Sequence, residues 1–264
     1  MKDKVSLLIK NSKKVRKIIL RTAYNCGEAA HIGGALSIAD IMSVLYFEKL
    51  NLNSKDKDRF ILSKGHGFLA LLASLYLKKK INDKDLKLFQ TNGSEFIAHP
   101  IMNDLKGIES SNGSLGQGLS FGAGLALAYK KKSKKGNIYV LMGDGECYEG
   151  AVWEAAITCT ETKLDNIIAI VDCNGFQNDG AIGNNMKFNN LYQKWKGFGW
   201  NVLKCDGHNL KEILKCLKKR KKGFPTVIIA KTIKGKGVSF MENNNDWHHG
   251  RLTKKIFESA IKEI

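Results

Sequence analysis

Proline is nearly missing from this 264-residue chain, with Pro100 and Pro225 the only two. With no Pro- or Ser-rich stretch, nothing reads as a linker between two domains, and one domain is expected. Arginine is scarce as well: five Arg stand against 38 Lys, in a chain of formal net charge +18. Such a charge suggests a nucleic acid, an anionic membrane or phosphorylated small molecules as partners. Readers of bases and phosphates lean on the planar fork of Arg. The chain shows no face on which aromatic residues interleave with Arg, which argues against nucleic acid. The Lys runs at 130–135 and 218–222 fall at the ends of expected helices, where positive charge is favoured by the helix dipole. The Lys excess therefore reads mostly as a solvated coat. Among the six Cys there is no Cys-x-x-Cys pair, which excludes the usual zinc and thioredoxin motifs. Reduced thiols are expected. No apolar run approaches ~18 residues, so no membrane span is expected. The N-terminus is broken by Lys every few residues and does not read as a signal peptide. A cytoplasmic protein is expected.

What is present is an alternation of apolar strands and helices. Helical spacing over 4–25 (Val5, Leu8, Ile9, Val15, Ile18, Ile19) predicts an amphipathic helix. A second helix is expected over 37–50, with Ser37 as its cap. A short buried strand at 59–62 leads into Ser63-Lys64-Gly65-His66-Gly67, followed by a helix over 68–79. A Gly-rich loop at 113–118 precedes a small-residue helix over 119–131. Strands are then expected at 137–142, 166–172, 200–205 and 226–230, with helices over 150–162, 191–197 and 210–222 between them. Near-continuous apolar strands alternating with helices mean an α/β fold, a parallel sheet with helices on both faces.

Ligands of open parallel sheets bind at the carboxyl ends of the strands. Gly143-Asp144-Gly145 ends one such strand, and Asp172-Cys173-Asn174-Gly175-Phe176 ends the next. The two lie one β-α-β unit apart, so Asp144 and Asn174 are expected in one crevice. A carboxylate, an amide oxygen and a backbone carbonyl suit a hard cation beside a diphosphate.

With these motifs the chain resembles the thiamine-diphosphate enzymes, and within them the diphosphate-binding half of transketolase. The resemblance runs through His31-Ile32-Gly33-Gly34, the Ser63 to Gly67 motif, His99-Pro100, Gly113-Ser114-Leu115-Gly116-Gln117-Gly118, Gly143 to Gly150, Lys231 to Gly237, and Trp247-His248-His249-Gly250. It implies a thiamine-diphosphate-binding fold over 1–264, with Mg2+ (or Ca2+) held by Asp144, Asn174 and the Phe176 carbonyl. By the same resemblance, His66, Gly113, Ser114, Leu115, Gly145, Glu149, Asp172, Asn174 and His248 would surround the cofactor, with Asp172 a buried support. Glu154 would join Glu149 in an acidic cluster at the subunit interface. His31, His66, His99, His248 and Lys234 would carry catalysis, since ketol transfer moves protons on and off sugar oxygens near neutral pH, work suited to imidazole. His208 is expected to shape a turn before a helix, and His249 has no assigned role. The loop Ile97-Ala98-His99 departs from the family, which often has Gly before this His.

The family's pyrimidine-binding and C-terminal domains have no counterpart in this sequence. The resemblance therefore implies a two-component transketolase, with those domains on a separate subunit in an α2β2 assembly. It would move a two-carbon ketol unit from a ketose phosphate to an aldose phosphate. Asp206-Gly207-His208 leaves open another ketol transferase of the same fold, one resembling deoxyxylulose-phosphate synthase or serving a secondary-sugar pathway.

Overall fold

The computed structural model describes residues 2–183 and 190–264. Five strands form one parallel sheet: Arg59–Leu62 (β1), Ile138–Gly143 (β2), Ile167–Cys173 (β3), Asn201–Asp206 (β6) and Thr226–Lys231 (β7). Their order across the sheet is β1-β2-β3-β7-β6. Phe176–Gln177 (β4) and Gly180–Ala181 (β5) form a small antiparallel hairpin beyond the end of β3.

The strands are apolar throughout because both faces of the sheet are covered. Alternate side chains enter two separate cores. Phe60, Leu62, Tyr139, Leu141, Ile168, Ile170, Ile228 and Ala230 point to one face. There they meet Lys2–Asn25 (α1), Ala39–Val44 (α3), Phe68–Leu77 (α4), Leu210–Lys218 (α9) and Lys254–Glu263 (α10), through residues such as Val15, Ile41, Leu72, Ile213 and Ala260. Ile61, Val140, Met142, Ala169, Val171, Val227 and Ile229 point to the other face. Gln117–Lys131 (α6), Gly150–Glu161 (α7) and Leu191–Gly197 (α8) cover that side with Leu119, Ala126, Val152, Cys159 and Trp195. The expected strand and helix alternation is present, with ends shifted by a few residues. A short helix at Asp83–Lys87 (α5), capped reciprocally by Asn82 and Asp85, carries no strong periodicity and was not expected.

Two expectations are corrected. The 37–50 segment holds two pieces, α3 and a π-turn at Leu45–Lys49, and a separate short helix, Gly33–Leu36 (α2), precedes it. Ser37 is no N-cap. It closes the C-terminus of α2, and its hydroxyl donates to Asp172 Oδ2 at 2.7 Å. Ser37 and Ile38 thus separate α2 from α3, and the expected helix begins at Ala39 and not at its supposed cap. The helix expected over 210–222 stops at Lys218, the first residue of the Lys run.

Register places the chemistry. Gly143 pairs with Asp172, Asp172 with Ala230, and Cys173 with Lys231. The carboxyl ends of β2, β3 and β7 therefore lie level, and the segments after them share one edge. No helix among the described residues is long and apolar enough to cross a membrane.

Candidate active site at the carboxyl edge of the sheet

Asp144 follows β2 directly and is 3% exposed. Its Oδ1 accepts from Gly145 N at 2.9 Å, and its Oδ2 from Gly175 N at 2.7 Å. Asp144 and Asn174 thus face one another across the expected crevice. Asn174 donates through Nδ2 to Asp172 Oδ2 at 2.9 Å, and its Oδ1 accepts from Phe176 N at 3.0 Å. An amide oxygen has two lone pairs, so one remains for a ligand. Asp144, Gly145, Asn174 and Phe176 line a cleft of about 250 Å³ together with His66, Leu115 and His248.

This donor set fits a hard cation. Asp144 makes no ion pair among the described residues, and burial, reinforced by the nearby Asp172 carboxylate, lifts its pKa to about 6. A divalent cation would supply the missing countercharge. No group of three or more His, Cys, Asp or Glu able to hold a metal occurs among the described residues. One carboxylate, one amide and a carbonyl leave positions for water and phosphate oxygens, as Mg2+ prefers.

Two buried acids hold the walls of the cleft, Asp172 and Glu146, the second of which also lines it. Asp172 is fully buried, in keeping with a support of the site. Its carboxylate pairs with Lys64 Nζ, itself 0% exposed, and accepts from Ser37, Thr232 and Asn174. Burial alone would raise the Asp172 carboxyl, but Lys64 and these hydrogen bonds hold it below the usual range. Lys64 also donates to Gly34 O at 3.0 Å. Glu146 is the second support. Its Oε1 accepts from Gly116 N at 2.9 Å and from Ser63 Oγ, and its Oε2 accepts from Gly143 N at 3.1 Å. It joins the ends of β1 and β2 to the Gly-rich loop. Sequence reading assigned a role to neither Lys64 nor Glu146. The available signal was a charged residue just past a buried strand, inside a motif already noted.

The histidines converge as expected. Around His31, ring centroids lie at 6.1 Å for His66, 5.3 Å for His99, 5.5 Å for His248 and 4.6 Å for His249. His249 therefore belongs to the cluster, at its exposed side. His31 is brought here by a bridge in which Ala30 and Gly250 exchange both backbone hydrogen bonds at 3.0 Å. Its Nδ1 is buried without a hydrogen-bond partner. Burial and the surrounding rings lower its pKa to about 3. Burial and Lys234 take His248 to about 4. Burial and Lys64 press His66 well below its ordinary value, and burial and His249 lower His99. These four imidazoles are neutral near pH 7.

Lys234 is 2% exposed. Its Nζ donates to Asn245 Oδ1 at 2.7 Å and lies 2.8 Å from His248 Nδ1. An ammonium can only donate, so Nδ1 accepts and the His248 proton sits on Nε2. Burial, then Lys64, lowers Lys234 to about 8.

The remaining expected residues sit nearby with less contact. Gly113 packs against the His99 ring, where an added Cβ would lie 3.6 Å from Cγ. Gly113 and Ser114 are exposed, while Leu115 lines the cleft. Glu149 is exposed at the cleft's margin and Glu154 lies on the exposed face of α7. His208 does more than shape a turn: it pairs with Asp40 at 2.8 Å and accepts from Ile233 N at 2.9 Å.

The family described as "Transketolase, thiamine diphosphate binding domain" matches residues 11–262. A 6-deoxy-6-sulfo-D-fructose transketolase subunit of Clostridium sp. is 38% identical over 95% of this chain and 93% of its own. One of the apulose-4-phosphate transketolase subunits of Phocaeicola vulgatus is 37% identical over 98% and 94%. Human transketolase is 35% identical, over 96% of this chain but 41% of its own. The solved transketolase of Leishmania mexicana superposes with a TM-score of 0.88 at 26% identity, over 96% of this chain and 40% of that one. The chain thus spans nearly the full length of the first two relatives and about two fifths of the last two. Together with the cleft, this makes the chain a member of the transketolase family, matching its thiamine diphosphate-binding domain.

Proposed function

We propose that this chain is the thiamine-diphosphate-binding subunit of a two-component transketolase, moving a two-carbon ketol unit from a ketose phosphate to an aldose phosphate. The observation that carries this reading is the cleft itself, lined by a cation-seeking Asp144 and Asn174 together with the neutral imidazoles of His66 and His248. Its support from relatives is that two of them, named as transketolase subunits, have nearly this chain's length. A pyrimidine-binding subunit would complete the site, in an α2β2 assembly.

In this reading Asp144, Asn174 and the Phe176 carbonyl would hold Mg2+, and Gly145 would leave room for the diphosphate beside the backbone. Thiamine diphosphate supplies a nucleophilic carbon and an electron sink for the two-carbon fragment. The chain's own residues manage protons and orientation. Lys234 fixes the His248 tautomer so that Nε2–H points away from it and can donate to a sugar oxygen or a phosphate. His31, with a free buried Nδ1, has capacity for a substrate hydroxyl. His66 and His99 flank it and would hold the donor's terminal hydroxyl. Neutral imidazoles both donate and accept, which proton exchange with hydroxyls requires.

Calorimetric titration of thiamine diphosphate into the chain with Mg2+ present tests the cofactor role. Binding is expected to be weak without a partner and to vanish with EDTA or in Asp144→Asn. Binding unchanged in Asp144→Asn would overturn the assignment.

A further inference from the structure

Lys234 is held by more than its own contacts. Its neighbours on either side are gripped by a buried network outside the cleft. Arg16 of α1 makes a two-pronged contact with Asp40 of α3, through Nη1 at 3.2 Å and Nη2 at 2.5 Å. Asp40 Oδ2 also lies 2.8 Å from His208 Nδ1. On its far side, His208 Nε2 receives the N–H of Ile233 at 2.9 Å. Arg16 Nε donates in turn to Lys236 O at 2.9 Å. The network therefore closes a ring around residues 233–236, with Lys234 inside it. Arg16 and Asp40 are buried at 7% and 5% exposure, and His208 is nearly so.

The protonation state follows from the bonds. Nε2 of His208 accepts, so it carries no proton, and Nδ1–H donates to Asp40. Asp40 is an anion, since Arg16 and His208 more than offset its burial. Gly237 makes room for this arrangement: its φ is +98°, and a Cβ there would lie 2.9 Å from Arg16 Cδ. Gly235, at φ +79°, donates to Gly33 O at 3.0 Å and would meet Met241 O at 2.1 Å if it had a side chain. The segment has little freedom apart from what the network sets.

We propose that Arg16, Asp40 and His208 form a positioning network that fixes Lys234, and through it the His248 tautomer, from outside the cleft. His208 is then a positioning residue that never touches substrate. The value of this for ketol transfer rests on the function proposed above, but the geometry can be tested without it.

The test uses the full chain without cofactor. Long-range 1H–15N correlation spectra report the protonation of each nitrogen of the six imidazoles. In the wild-type protein at neutral pH, His208 is expected as the Nδ1–H tautomer and His248 as the Nε2–H tautomer. In His208→Ala, His248 is expected to lose its single-tautomer pattern, and acylation of Lys234, read by mass spectrometry, to rise roughly tenfold as a hydrogen-bonded anchor is lost. His208→Gln offers a donor and an acceptor in similar places and is expected to restore both readouts. A folded His208→Ala with His248 and Lys234 unchanged overturns the proposal. If that variant does not fold, the wild-type spectrum still decides: His208 found as the Nε2–H tautomer or as imidazolium overturns it. Loss of ketol transfer with these spectra intact would instead count against the proposed function.

Discussion

The side chains that work in the cleft depend on charges that never reach it. Lys64 and Asp172 are both fully buried and neutralise each other, and Asp172 in turn orients Asn174. Removing one partner leaves an uncompensated buried charge. Lys64→Met is expected to cost about 3–5 kcal/mol in urea unfolding, and Lys64→Met combined with Asp172→Leu to recover much of it. Asp40 gives a second expectation, with a definite sign. Its carboxyl is held at about 2 against an ordinary value of 3.8. Its contribution is therefore present above about pH 4 and lost as pH falls through about 2. The stability difference between wild type and Asp40→Asn is expected to shrink by roughly 2 kcal/mol over that interval, measured by urea unfolding at stepped pH. The residues in and beside the cleft were legible in the sequence, since Asp144, Asn174, His66 and His248, which line it, and His31 and Lys234, which adjoin them, all lie in compact motifs. Their supports were harder to read. Lys64, Glu146 and Arg16 show their roles chiefly through partners 24 to 220 positions away. No local spacing reports such pairs.

Among the elements, α6 joins the Gly-rich loop to the core and shows how glycines with similar sequence surroundings differ. Gly118 sits against β1's exit, where a Cβ would come within 2.4 Å of Ser63 Cβ. Gly124, one and a half turns on, has open space around it. Gly118→Ala is expected to destabilise the chain by about 1–3 kcal/mol, through overpacking that displaces α6. Gly124→Ala is expected to stabilise it by about 0.4–1 kcal/mol. Chemical denaturation of the two variants checks both signs. The elements themselves were largely legible, because a sheet covered on both faces demands unbroken apolar strands, and β2, β3 and β7 have them. The start of the 37–50 helix was not, because Ser37 closes α2 and donates to Asp172 instead of capping α3. A periodic pattern reports the buried face but not such a tether.

At the scale of the whole molecule, the charge of +18 contributes little to the site's construction. The cleft is built from Asp, Asn, Gly and His, and the two lysines that matter most, Lys64 and Lys234, are buried. The exposed Lys residues form a field that favours the approach of anionic sugar phosphates. The shape of the cleft bears more on mechanism than the charge does. It is open at the margin where Glu149 is exposed, which agrees with a site shared with a second subunit.

The most direct measurement is the rate of ketol transfer from a ketose phosphate to an aldose phosphate, with thiamine diphosphate and Mg2+ in excess. It is made first with this chain alone, and then with its pyrimidine-binding counterpart added in increasing ratio. No transfer is expected from the single chain, and a rate that saturates at equimolar subunits is expected from the mixture. Transfer by the purified single chain, or a stable equimolar complex that transfers nothing, would contradict the assignment of this chain as one half of a two-component transketolase.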